Sequence, residues 1–140
     1  MHFCLVDRVL ERTDDSIVTI KLVSGAEEYL QDHFPTFPVL PGVFMLEAMV
    51  QAARELLDPG GEADVPMVLG RVRALKYGTF IKPGDTLRAS VSVVTRLDDG
   101  SVELKGEARR VAPDAEPGAE HPIACSGKLT MRPVRAPSGV

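Results

Sequence analysis

At 140 residues, 44% hydrophobic and 26% charged, the chain is long enough to bury one independent core and reads as a single domain over 1–140. A net charge of −4, with 16 basic against 20 acidic residues, leaves no electrostatic footprint for nucleic acid. The N-terminus carries Asp7 and Arg8 where a secretory core would be apolar. The uncharged stretch 34–46 holds three prolines and is too short for a bilayer span, so a cytoplasmic location is expected.

In chain order, Phe3 to Glu11 reads as a strand, Thr13-Asp14-Asp15 as a turn, and Ser16 to Val23 as a β-branched strand that closes a hairpin. Glu27 to Asp32 is polar and leads into a proline-rich segment. Pro35, Pro38 and Pro41 each fix φ and lack an amide proton, so His33 to Pro41 is neither helix nor central strand. Pro41 suits a helix entry, and Gly42 lets a neighbour approach the backbone closely.

The spacing predicts one helix from Val43 to Leu57, about 22 Å long, ended by Asp58-Pro59-Gly60-Gly61. From Val43 to Ala53 it is apolar on every face except at Glu47 and Gln51, which predicts a buried helix. Those two residues are i and i+4 and share a face. A carboxylate in that setting needs a partner, and it is well placed to act as a general acid.

Beyond the helix the chain alternates. Leu87, Ala89, Val91 and Val93 form one apolar row, Val102, Leu104, Gly106 and Ala108 a second, and Ile123, Cys125, Gly127, Leu129 and Met131 a third. Asp98-Asp99-Gly100 is a hairpin turn, Pro113 to Pro122 is a loop, and the tail over 133–140 is expected to fray. Three period-two segments predict an antiparallel sheet with one buried face. One long helix against one sheet is an α+β arrangement, and a single sheet cannot cover the helix on all sides. A partner subunit is therefore expected.

The chemistry rests on His33 and Glu47, fourteen residues apart. A histidine before Phe-Pro is ordinarily a loop residue, and a lone helical glutamate can belong to a structural ion pair. A base and an acid flanking Pro41-Gly42 at the mouth of an apolar helix point instead to acid–base catalysis. Arg71, Arg73, Lys76 and Lys82 could form a local basic patch, or simply a solvated face. His121 among Asp114, Glu116 and Glu120 has no metal-ligand spacing and reads as a solvated loop, so neither metal nor cofactor is expected. Cys4 and Cys125 read as reduced and structural.

The segment His33-Phe34-Pro35 to Pro41-Gly42-Val43, followed by Glu47-Ala48 and Gln51, resembles the signature of 3-hydroxyacyl-acyl-carrier-protein dehydratases of the FabZ type. Phe3 to Leu10 resembles that family's first strand, and Lys82-Pro83-Gly84-Asp85-Thr86-Leu87 its Pro-Gly-Asp turn. The resemblance runs from about Phe3 to Met131 and is weakest over 112–123. It implies a hotdog fold, a curved antiparallel sheet wrapped round a central helix and paired into dimers. It implies dehydration of a 3-hydroxyacyl thioester on an acyl carrier protein to the trans-2-enoyl thioester, with His33 as base and Glu47 as acid.

By the same resemblance the Gly42 amide holds the thioester carbonyl, the Val39 carbonyl orients His33, and Gln51 supports Glu47. The two catalytic residues of one site come from opposite subunits, and a trimer of dimers is left open. Tyr77 and Phe80, on a strand from Tyr77 to Ile81, are either candidates for lining the acyl tunnel, with Phe44 and Ala48 facing it from the helix, or simply core residues. Two places depart from the family pattern. Asp32 and Thr36 stand where glycines are common, and Asp32 beside the imidazole would raise the pKa of His33. Glu47 rather than Asp resembles the branch that dehydrates without isomerising. A hotdog thioesterase and a non-catalytic acyl-binding subunit are the alternatives.

Overall fold

The computed structural model describes residues 4–25 and 38–135. Six strands form one antiparallel sheet in the order β1-β2-β4-β5-β6-β3. They are β1 Arg8–Arg12, β2 Ser16–Leu22, β3 Met67–Tyr77, β4 Thr86–Arg96, β5 Val102–Val111 and β6 Ile123–Pro133, with the helix α1 Gly42–Leu57 between β2 and β3. This is the expected α+β hotdog arrangement. Tail residues 136–140 lie outside the described residues, as does the segment 26–37.

The alternation expected for the last three strands places their side chains correctly except at the start of β6. Leu87, Ala89, Val91, Leu104, Leu129 and Met131 are buried against the helix, which contributes Met45, Ala48, Met49, Ala52, Ala53 and Leu56. Truncating a side chain such as Met49, fully buried at this interface, to Ala costs about 2–5 kcal/mol. The turn at Asp98-Asp99-Gly100 closes with Leu97 N–H accepted by Ser101 O at 2.9 Å.

Three expectations need correction. The first strand starts at Arg8, not Phe3, because the chain before it turns inward: Leu5 is 2% exposed and its amide bonds to the helix instead of a strand. The strand placed at Tyr77–Ile81 ends at Tyr77 and begins ten residues earlier, at Met67. Its alternation is broken by two bulges, between Leu69 and Arg71 and between Arg73 and Lys76, the second at Ala74 with φ 53.

On β6, Ile123 is exposed and Ala124 is buried, the reverse of the simple alternation. Ala108 pairs with Cys125 and Arg109 with Ile123, so Ala124 is the extra, bulged residue and turns inward. As expected of one helix on one sheet, α1 is not covered on all sides. Val43 is 60% exposed, Arg54 is exposed, and Leu46, Glu47 and Gln51 are half-buried along the stripe that faces away from the sheet.

Candidate active site

The start of α1 is fixed by three local features. Pro41 occupies the N-cap with φ −55 and offers no side-chain cap; its carbonyl accepts the Phe44 amide at 2.9 Å, and no side chain caps the Gly42 and Val43 amides. The Leu40 amide donates to Ile81 O at 2.8 Å, tying the helix entry to the segment after β3. That segment is itself held by the β6 bulge: Gly78 N–H donates to Ala124 O at 2.9 Å and Thr79 N–H to Ile123 O at 3.0 Å.

Two glycines make this packing possible. A Cβ on Gly78 would lie 2.2 Å from Ile123 O, so no other residue fits there. A Cβ on Gly42 would lie 2.8 Å from the Tyr77 ring, which therefore rests on the bare backbone of the helix entry. Between these walls opens a cleft of about 410 Å³, lined by Gly42, Val43, Met45, Tyr77, Gly78, Thr79, Phe80 and Ala124. Its lining is mostly apolar, with helix-start amides at one end, the combination that suits an apolar chain ending in a polarisable oxygen. Burial, and secondarily the charge of Cys125, push the Tyr77 phenol above its ordinary pKa.

Of the residues read from the sequence, Gly42, Tyr77 and Phe80 meet in this cleft. Phe44 and Ala48 do not line it: Ala48 is 1% exposed and packs into the core, and Val43 and Met45 take the places expected for them. Val39 is buried at 2% exposure beside the helix entry. His33, with Asp32 and Thr36, lies outside the described residues.

Glu47 is on the uncovered stripe of α1 and is absent from the cleft lining. It is held by Gln51, whose Nε2 donates to Glu47 Oε1 at 3.2 Å. The Gln51 Oε1 in turn accepts the Leu5 amide at 2.7 Å, which fixes which way round the side-chain amide lies. Sequence reasoning paired Gln51 with Glu47 from their i, i+4 spacing but missed Leu5, a contact across 46 positions that no local pattern signals. It also missed Gly78, Thr79 and Ala124; an isolated glycine after a strand was the one available hint of a close backbone approach.

The cysteines divide. Cys125 is buried, and its thiol is pushed up to about 11 by that burial. Cys4 is exposed, and its thiol donates to Val6 O at 3.2 Å. Among the described residues no cluster of His, Cys, Asp or Glu could hold a metal, and no helix is long and apolar enough to cross a membrane.

A family described as ApeI-like, ApeI dehydratase, matches residues 9–112. The chain is 36% identical over 131 residues to the 3-hydroxyacyl-acyl-carrier-protein dehydratase FabZ of Lactococcus lactis subsp. cremoris (strain SK11), covering 92% of this chain and 83% of that protein. Among solved structures, it superposes on the ApeI:P dehydratase heterocomplex of Xenorhabdus doucetiae with a TM-score of 0.61 at 17% identity, over 91% of this chain and 96% of that one. A hypothetical thioesterase protein from Streptococcus pneumoniae TIGR4 gives 0.64 at 14% identity, over 94% and 98%. The two structural likenesses speak for the fold. The family match and the 36% identical relative place this hotdog chain among the dehydratases. The chain belongs to the FabZ family of 3-hydroxyacyl-acyl-carrier-protein dehydratases.

Proposed function

We propose that this enzyme dehydrates a 3-hydroxyacyl thioester borne by an acyl carrier protein to the trans-2-enoyl thioester, with His33 as the base and Glu47 as the acid. His33 removes a proton from C2 while the first-turn amides at Gly42 and Val43 receive the charge that develops on the thioester oxygen. Glu47 gives its proton to the C3 hydroxyl, which leaves as water as the C2–C3 double bond forms. His33 ends protonated and Glu47 ionised, and one proton passing from His33 back to Glu47 through solvent resets the site. The acyl chain occupies the apolar cleft, where Tyr77 and Phe80 set its preferred length.

The observation that carries this reading is the placement of Glu47. It stands on the uncovered stripe of α1, oriented by Gln51, and outside the cleft of its own chain. An acid so placed serves a cleft that a second subunit brings up to it, so we take the functional unit to be a homodimer with shared sites. The uncovered apolar residues Val43, Tyr77 and Phe80 support an assembled state, since exposed apolar patches mark partner or ligand surfaces.

The test is turnover of a 3-hydroxyacyl thioester, followed by the absorbance of the conjugated product. His33→Ala and Glu47→Ala should each lower kcat by roughly 10²–10⁴-fold with the fold intact. Wild-type turnover in either variant would remove that residue from the mechanism. Release of free thiol from a saturated acyl thioester, with no enoyl product, would replace dehydration by hydrolysis.

A further inference from the structure

The cleft beside Gly42 has a mouth and a floor, and different residues make them. Val43, Tyr77 and Phe80 are 60%, 54% and 60% exposed and stand at the mouth. Among the described residues that line it, only Met45 and Ala124 are buried, at 3% and 0% exposure, so these two close its inner end. Behind them is packed core. Met45 belongs to the buried cluster that α1 shares with the sheet, and Cys125, next after Ala124, is also 0% exposed. Close-packed interiors leave few voids larger than a water molecule, so an acyl chain that reaches these side chains has nowhere further to go.

The two residues close the floor in different ways. Met45 follows Gly42 by three positions and lies about one turn along the same helix face. A chain held by its thioester oxygen at the Gly42 amide therefore runs toward the Met45 side chain, an unbranched thioether that fills the space left to it. Ala124 faces the cleft only because the β6 bulge turns it inward. Its backbone cannot retreat, because Ala124 O accepts the Gly78 amide at 2.9 Å and Ile123 O the Thr79 amide at 3.0 Å. Side-chain atoms added at 124 enter the cleft instead of displacing the strand. With only a methyl group there, the depth that remains is set by Met45.

We infer that Met45 and Ala124 determine the upper limit of acyl length, and that the substrate is a 3-hydroxyacyl chain of short to medium length. The inference rests on the dehydratase reading above and adds the substrate class. The cleft volume of about 410 Å³ is near the low end of the roughly 300–1,000 Å³ usual for ligand pockets, which suits a short chain better than a long one. Tyr77 and Phe80 hold the chain near the mouth; the floor stops its far end.

The experiment measures kcat/KM over a series of N-acetylcysteamine thioesters, from 3-hydroxybutyryl through 3-hydroxyhexanoyl, 3-hydroxyoctanoyl and 3-hydroxydecanoyl to 3-hydroxydodecanoyl. The wild type should be most efficient at or below 3-hydroxyoctanoyl and fall beyond it. Met45→Val shortens the floor and should raise the ratio of 3-hydroxydecanoyl to 3-hydroxybutyryl efficiency roughly tenfold, as expected for a methylene's worth of space in an apolar pocket. Ala124→Val should lower the same ratio roughly tenfold, with most of the loss on the longer substrate. A general loss of stability cannot move the ratio in both directions, and either variant decides alone if the other does not fold. If the wild type dehydrates none of the series, the functional reading fails, and calorimetric titration with the saturated acyl thioesters applies the same length comparison to the floor. A wild-type profile flat through 3-hydroxydodecanoyl, or variants that scale every length equally, would overturn the inference.

Discussion

Gln51 on α1 joins Glu47 to the N-terminal segment, donating to Glu47 Oε1 at 3.2 Å and accepting the Leu5 amide at 2.7 Å. Because the Leu5 N–H can only donate, the Gln51 oxygen must face it, and the NH2 group must face Glu47. The acid is thereby oriented by a backbone amide two bonds removed from it.

Two substitutions separate orientation from stability. Gln51→Ala orphans the Leu5 amide, which costs about 1–3 kcal/mol, and releases Glu47. Gln51→Glu keeps an acceptor for Leu5 but replaces the donor with a second carboxylate. We expect kcat to fall roughly 10–100-fold in both variants, with urea stability nearer wild type in the glutamate variant. Wild-type kcat in both would leave Gln51 a purely structural residue.

Shared sites make a sharper demand. Mixing inactive His33→Ala protein with inactive Glu47→Ala protein, under conditions where subunits exchange, should restore activity. Each hybrid dimer would hold one site with both lesions and one intact site, so each regains up to half of wild-type activity. Exchange confirmed by native mass spectrometry without any return of turnover would place both residues in the site of a single chain.

The two glycines of the cleft should respond differently to the same methyl group. At Gly78 a Cβ meets a backbone oxygen at 2.2 Å, which cannot move without opening the β6 bulge. Gly78→Ala is expected to cost roughly 3 kcal/mol or more by thermal or urea denaturation. At Gly42 the clash is with the outer part of the Tyr77 ring, 54% exposed and free to swing outward, so Gly42→Ala should cost about 1 kcal/mol. Tyr77→Ala added to Gly42→Ala should recover stability, and it should not do so for Gly78→Ala.

Cys125 gives a pH signature. Its folded pKa is raised to about 11 from the ordinary 9.0, so the folded chain keeps a proton that the unfolded chain releases. The contribution is therefore fully present below pH 9 and is lost as pH rises from 9 to 11, amounting to roughly 3 kcal/mol at most. Urea midpoints measured at pH 8 and at pH 10.5 should diverge more for the wild type than for Cys125→Ala. Identical divergence in the two proteins would show that the thiol is not the group responsible.

Much of the protein was legible without coordinates because its signals are local. Period-two alternation from Leu87 onward fixed which faces of β4, β5 and β6 are buried. The prolines before Gly42 and the Asp58-Pro59-Gly60-Gly61 stop bounded the helix to within a residue. The spacing of Glu47 and Gln51 was enough to put them in contact.

What the tertiary structure alone decided depends on contacts between distant segments. β3 escaped notice because its two bulges break the alternation that marks a strand. Ala124 turned inward for the same reason, since one extra residue reverses every face assignment beyond it. The apolar helix sequence already implied that one sheet would leave a side of it uncovered, but only the packing showed that the open stripe runs through Val43 and Glu47. The Leu5–Gln51 bond and the Met45–Ala124 floor of the cleft join residues that only pairing and packing bring together. Periodicity fixes which way a side chain points along its own element; which element stands opposite is set by the register and closure of the whole sheet.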